Sequence, residues 1–252
     1  KAYLSVAGCD GACFQAPKVV VTSPSGTAIP FVRVTADHAM DIANDLCSAR
    51  GNSTKDEAFF GNQSRIALDM CGELDSIGLD DYLLHEGYTG LAHALSLTPE
   101  EVIEEVKASG LRGRGGAYFP AALKWEGARK VNVTPRYMVV NSEEGEPGIF
   151  KDRHLMEGVP HRVIEGTIIA AYASGVNEAY IYINSEADLS AERMDKALQG
   201  ATEAGLVGDD ILESGFSLSI KIRRGAGGYR IETAIHSHKY CRRPRRCYCS
   251  SG

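Results

Sequence analysis

The sequence is short of several things, and each shortage closes off a class of function. No apolar run approaches the roughly 20 residues of a membrane-spanning helix, so no transmembrane segment is expected. Positive charge is in deficit: 27 Lys and Arg stand against 33 Asp and Glu, a formal net charge of −6. That balance argues against nucleic-acid binding by bulk electrostatics. No secretory leader is expected, because residues 1–6 read as a β-strand. The initiator Met is missing too, so the chain reads as a fragment. There is no internal repeat. There is no even, regular set of cysteines either. The seven present are spread unevenly, which argues for reduced thiols or clusters in a cytoplasmic setting and against a disulfide framework. What remains, 44% hydrophobic and 24% charged, is ordinary for one large or two small globular domains.

Along the chain, strands alternate with helices. Residues 18–21 form an apolar strand, Ser23-Pro24-Ser25-Gly26 a turn, and residues 28–34 a second strand. Thr35 caps a helix over residues 36–49 with Met40, Ala43 and Leu46 on one face. Residues 51–60 read as a linker. Residues 61–96 read as mostly helical, anchored by Ile66, Leu68, Ile77, Leu83 and Leu84, with Cys47 and Cys71 as buried structural thiols. Thr98-Pro99-Glu100-Glu101 is a helix start: Thr98 at the N-cap, Pro99 at N1, Glu101 closing a capping box. Val102, Ile103 and Val106 form its buried stripe and Gly110 ends it. Residues 137–140 read as a buried strand, 161–173 as a helix, 178–184 as a strand, 189–204 as a helix and 217–223 as an alternating strand. This order predicts an α/β fold with a largely parallel sheet. His154 and His161 are expected at the surface or at helix caps.

Two loops carry most of the chemistry. In Leu111-Arg112-Gly113-Arg114-Gly115-Gly116-Ala117-Tyr118-Phe119-Pro120, three glycines fall within four residues and a helix follows. Glycines let backbone N–H groups face outward, and a helix N-terminus attracts anions. Arg112, Arg114 and Lys124 add positive charge, so the stretch reads as a phosphate cradle. The second loop, Asn141-Ser142-Glu143-Glu144-Gly145-Glu146-Pro147-Gly148, crowds three carboxylates after a strand. It suits a solvated turn and, equally, a set of acceptors for hydroxyl or amide groups. A third feature, Cys9-Asp10-Gly11-Ala12-Cys13, offers two thiolates where an iron–sulfur cluster takes four; its other reading is two small residues with no metal.

The two loops together resemble the flavin-bearing, NADH-binding subunit of respiratory complex I and the matching subunits of NAD-linked hydrogenases and formate dehydrogenases. The resemblance runs from about residue 59 to about residue 234. It implies a parallel-sheet FMN-binding domain at residues 89–234, a linker and helical lead-in at 51–88, and at 1–50 a partial thioredoxin-like α+β unit. It implies that Gly113, Arg114, Gly115, Gly116, Lys124, Asn141, Glu143, Glu144, Tyr229 and Glu232 hold FMN. Phe119 and Glu146 are then expected to meet NADH, and Cys9 and Cys13 to be half of a [2Fe–2S] site. No side chain is needed as a nucleophile, because the flavin carries the hydride chemistry. Other subunits with iron–sulfur clusters are the implied partners, and any membrane contact runs through them.

The chain also departs from the family pattern. Tyr118 stands where the family has glycine, and Gly127 where relatives often carry an aromatic. The stretch from Gly225 to Ala234 is two residues shorter than the family's third loop and keeps Tyr229 and Glu232 as matches. Residues 235–252 are basic, hold Cys241, Cys247 and Cys249 without regular metal spacing, and are expected to be a disordered or aberrant end. The β-grasp domain and the [4Fe–4S] cysteine domain that follow in the family are absent from this sequence. The expectation is an FMN-dependent NADH oxidoreductase subunit; the alternative is a non-catalytic FMN-binding module of an electron-transfer complex.

Overall fold

A computed structural model of the chain describes residues 3–44, 46, 51, 60–146 and 148–225. Cys47, Tyr229, Glu232 and the basic tail lie outside the described residues. A hairpin comes first: β1 (Val19–Thr22) pairs antiparallel with β2 (Ala28–Phe31). Ser23 N–H donates to Thr27 O at 2.9 Å, and Gly26 takes the positive φ of 82° that the turn requires. Helix α1 (Ala36–Asn44) follows, with His38 N–H bonded to the Thr35 hydroxyl at 3.3 Å. Phe31, Val34 and Ile42 form a small core of their own. Ile42, not Met40, is the inward residue of α1; Met40 is largely exposed. Residues 3–6 are not a strand: the pairing there is one bridge, Ala7 to Asp75.

The lead-in is less helical than its composition suggests. Turns occupy most of residues 61–78 before the short α2 (Leu79–Leu84) and α3 (Thr89–Ser96). The anchors also differ, since Ile66 and Leu84 are exposed while Cys71, Leu74, Tyr82, Tyr88 and Leu91 are buried. These aromatics and turns are held by the first turns of a later helix, α7 (Pro160–Ser174). Tyr82 Oη donates to Glu165 at 2.7 Å, and the same carboxylate accepts Leu91 N–H at 3.0 Å. Burial, then Glu165, pushes the Tyr82 phenol well above its usual pKa. His161 is a core residue, not a cap: it stacks on Tyr82 and lies 3.0 Å from the Tyr88 hydroxyl through Nδ1. Arg162 pins the carbonyls of Ile66 and Ala67 and the Asp69 carboxylate. None of these partners is close in sequence, which is why an apolar pattern alone misplaces the anchors.

Helix α4 (Pro99–Ala108) begins with the expected capping box, both halves present. It packs against α5 (Ala121–Lys130), with Ala122 and Trp125 joining Val102 and Ile103 in a second cluster. The sheet comes next. Strands β3 (Tyr137–Ser142), β4 (Glu178–Ile183) and β5 (Ser219–Arg224) lie parallel in that order. Between β3 and β4 run α6 (Lys151–Gly158) and α7 (Pro160–Ser174); between β4 and β5 runs α8 (Asp188–Glu203). Parallel neighbours need such crossovers.

Ile181 and Ile183 of β4 are fully buried against Ile164 and Ile168 of α7 and Met194 of α8. Each such side chain contributes about 1.5–3 kcal/mol by its removal from water. The other sheet face carries Tyr137, Val139, Tyr180, Tyr182, Lys221 and Arg223. Strand β3 is therefore half-buried, with Tyr137 and Val139 exposed, and is not the fully buried strand its apolar run suggests. The order of elements is the α/β, parallel-sheet class that the sequence predicts.

Candidate functional site

The residues that follow the three parallel strands are level with one another. Ser142 pairs with Ile183 and Ile183 with Arg224, so Glu143, Asn184 and Gly225 stand side by side just past the carboxyl ends. Open α/β sheets bind ligands at this edge. Asn141 Oδ1 accepts Glu143 N–H at 3.0 Å and turns the chain off β3. Ser142, Glu143 and Glu144 are buried, so the acidic loop is no solvated turn at these three positions. Glu143 Oε1 accepts Asn184 Nδ2 at 2.8 Å, and Asn184 Oδ1 accepts Glu186 N–H at 2.8 Å. Gly225 leaves β5 with no room to spare: a Cβ there would come 2.5 Å from Glu143 Oε2 and 2.9 Å from the Tyr182 hydroxyl.

Glu144 faces the other way. Its Oε1 accepts Asp152 N–H at 2.9 Å and its Oε2 accepts Arg153 N–H at 3.1 Å, closing the first turn of α6. A carboxylate at a helix N-terminus also meets the positive end of the dipole. No capping motif in sequence marks α6, because its cap lies well upstream of Lys151. Glu146 and Asn141 are exposed beside this loop.

The glycine loop is a closed finger. Gly113 N–H donates to Phe119 O at 2.8 Å and Ala121 N–H to Leu111 O at 3.0 Å, with a bridge between Arg112 and Pro120. Arg112, Gly113, Arg114, Gly115, Gly116, Phe119 and Lys124 are all exposed. Gly116 takes the turn at φ 95°, and an added Cβ at Gly115 or Gly116 would have open space within 4 Å. Helix α5 starts at once, and Pro120 gives its first turn no side-chain cap. Uncapped N–H groups, an open backbone and three cations suit a phosphate. Tyr118 is also in the left-handed region, at φ 50°, with its ring exposed. Glycine adopts that conformation freely; a tyrosine is strained by it.

Asn184 was not legible as a site residue. Its signal is weak: one amide following an apolar strand. The structure brings Asn141, Glu143 and Asn184 together, while Glu144 turns to α6 and the contacts of the glycine loop are internal to it. Among the described residues a metal site is not brought together. Cys9 and Cys13 are close to each other, but Cys71 is buried with its thiol 3.7 Å from His154 O. Among the described residues no group of three or more His, Cys, Asp or Glu is placed to hold a metal ion. A [2Fe–2S] cluster takes four such ligands, so the described residues do not fit one.

Comparison with known proteins now decides the family. The model of the Nuo51 FMN-binding domain matches residues 106–234, which include the glycine finger, the acidic loop and all three parallel strands. The chain belongs to this family. A hydrogenase relative, the NADP-reducing hydrogenase subunit HndC of Solidesulfovibrio fructosivorans, is 46% identical over 167 residues, 66% of this chain and 34% of that one. An NADH-quinone oxidoreductase subunit of Aquifex aeolicus (strain VF5) is 49% identical over 151 residues, 60% of this chain and 35% of that one. The crystal structure of an NAD+-reducing [NiFe]-hydrogenase in the H2-reduced state superposes with a TM-score of 0.53 at 26% identity, covering 88% of this chain and 36% of that one. This Nuo51-family chain therefore spans about a third of the length of the curated relatives it matches. None of its described helices is long and apolar enough to cross a membrane.

Proposed function

We propose that this chain is the FMN-holding part of an NADH-oxidising electron-transfer complex, passing electrons to iron–sulfur partners on its cytoplasmic side. The observation that carries the reading is the pairing of an open, uncapped, cationic glycine finger with a row of buried polar groups at the carboxyl edge of a parallel sheet. In this reading Gly113, Gly115 and Gly116 give backbone access to the phosphate, and Arg114 and Lys124 supply charge. Asn141 and Glu143 accept from hydroxyl or ring N–H groups of the flavin. Glu144 acts indirectly, by fixing α6 and hence the loop. Phe119 and Glu146, both exposed, are offered to the dinucleotide, and Tyr229 and Glu232 complete the site from the third loop. In the same reading residues 1–50 belong to a partial thioredoxin-like unit, 51–88 to the lead-in and 89–234 to the flavin domain. Bound flavin supplies the hydride and single-electron chemistry, and the protein contributes orientation and electrostatics.

A second reading is favoured by Tyr118. A strained phenol on the finger supports a module that keeps FMN but has lost fast reaction with NADH. One experiment separates the two. The chain is reconstituted with FMN, freed of excess flavin and mixed with NADH under anaerobic conditions. Retained flavin that bleaches supports the oxidoreductase; retained flavin that does not bleach supports the binding module; no retained flavin overturns both.

A further inference from the structure

Asn184 follows the last residue of β4 at the carboxyl edge of the sheet and is 4% exposed; Glu143, next to it, is 6% exposed. Two bonds of opposite kind fix the orientation of the Asn184 amide. Its Oδ1 accepts Glu186 N–H at 2.8 Å, so its Nδ2 is the group turned to Glu143 Oε1, also at 2.8 Å. A flipped amide would set donor against donor at Glu186 and acceptor against acceptor at Glu143. Glu143 is gripped at two further points. Its N–H is held by Asn141 Oδ1 at 3.0 Å, and its Oε2 lies against the Gly225 backbone, where an added Cβ would come 2.5 Å away. The carboxylate has little room to turn.

We infer that Asn184 is a positioning residue for the flavin: it orients the Glu143 carboxylate, and through Glu143 it sets how tightly the chain holds FMN. This rests on the reading of Glu143 as an acceptor for flavin hydroxyl or ring N–H groups. Burying a carboxylate is expensive for stability alone, since an apolar pair of similar volume would tie two strand ends at lower cost. The type of partner matters too. An amide holds a carboxylate by a directed bond and leaves its negative charge in place, whereas Arg or Lys would neutralise it. An acceptor already fixed in plane loses less freedom when a ligand arrives, so binding is tighter. The grip comes from β4 and the acceptor from β3, so the flavin contact depends on the register of the two strands.

FMN is titrated into the full chain, Asn184→Leu, Glu143→Ala and the double variant, with binding read from quenching of flavin fluorescence. Urea midpoints of the four FMN-free chains are measured in parallel. Asn184→Leu should raise the FMN dissociation constant roughly tenfold to a hundredfold. The double variant should bind FMN no more weakly than Glu143→Ala alone, because Asn184 then has no carboxylate to orient. A fifth chain, Asn184→Asp with Glu143→Gln, keeps an amide–carboxylate bond across the same gap but exchanges its ends. Its urea midpoint should return toward the parent's, while its FMN affinity stays about tenfold or more below the parent's, because the carboxylate now stands on β4. Recovery of FMN affinity along with the midpoint would make Asn184 a tie between strands and overturn the inference. Losses that simply add in the double variant overturn it as well. Equal FMN affinity in the parent and Asn184→Leu overturns this inference alone. A parent that retains no FMN overturns the proposed function, and this inference falls with it.

Discussion

Asn184 donates from Nδ2 to Glu143 Oε1 at 2.8 Å, tying the end of β4 to the end of β3. Both residues are buried, so neither exchanges this bond readily for water. Asn184→Ala leaves a buried carboxylate oxygen without its amide and should cost about 1–3 kcal/mol. Urea unfolding of the FMN-free chain measures that loss. If Glu143 also holds flavin, FMN affinity falls with it. An unchanged midpoint would mean that the bond forms equally well to water.

The glycine finger separates fold from binding. Gly116 has the positive φ and Gly115 does not, so the two should respond differently to a β-branched side chain. Gly116→Val is expected to strain the turn by about 1–3 kcal/mol. Gly115→Val has open space and should leave the unfolding midpoint nearly unchanged. It should nevertheless abolish FMN retention if the backbone there must approach a phosphate. Equal flavin content in the Gly115→Val variant and the parent would remove the finger from the site.

What the sequence made legible follows the range of the interactions. The capping box at Thr98, the α/β order and the alternation of β5 are local or periodic, and they stand where expected. The two loops stood out as a pair of long motifs, and it is the pair that carries the family match over residues 106–234. What was missed depends on distant partners. Helix α6 is capped by Glu144 from beyond its own first turn, His161 finds Tyr82 and Tyr88 across a long separation, and β3 is half exposed because it is an edge strand whose Tyr137–Val139 face is open. Ile66 and Leu84 read as anchors by composition alone; the turns around them place Leu74 and Tyr82 inside instead, with Cys71 buried as expected.

The stack of Gly8, Gly158 and Cys71 has no slack. A Cβ on Gly158 would meet Cys71 Sγ at 2.5 Å. Gly158→Ala should therefore destabilise by about 1–3 kcal/mol through overpacking. The double variant Gly158→Ala with Cys71→Ala should recover part of that loss, since removing the sulfur opens the contact. Thermal melts of the four chains test it, and simple additivity would show that the two residues do not share the space.

His161 sets a pH slope near neutrality. Burial pushes its pKa below 6.5, with the bond to Ile77 O pulling the other way. The unfolded chain then binds the proton first as pH falls, so stability is full above 6.5 and declines as pH drops through it. The decline stops growing below the folded value. Urea midpoints between pH 8 and pH 5, taken as ~one-unit steps across that window, should fall for the parent and fall less for His161→Gln. Parallel slopes in the two chains would assign the effect to the other histidines.

Tyr118 holds a left-handed backbone at φ 50° with 59% of its surface exposed, on the finger proposed to cradle the flavin phosphate. A non-glycine residue in that region carries on the order of 1–3 kcal/mol of strain. Tyr118→Gly relieves the strain but adds freedom to the unfolded chain, worth about 0.5–1 kcal/mol against it. Stability should therefore stay level or rise by up to about 2.5 kcal/mol. The cradle itself is unchanged by the substitution, so FMN affinity should hold. Reaction with NADH is different, because stacked rings must bring reacting atoms to roughly 3–3.5 Å and a displacement of about 1 Å costs on the order of a hundredfold. If the phenol intrudes on the nicotinamide, its removal should speed flavin reduction by roughly tenfold to a hundredfold. Tyr118→Ala separates the two effects, since alanine lacks the ring yet its Cβ keeps the left-handed backbone strained. Stopped-flow reduction of all three chains decides it. Equal acceleration in both variants assigns the block to the ring, acceleration in the glycine variant alone assigns it to the strained backbone, and equal rates in all three place Tyr118 outside the dinucleotide path.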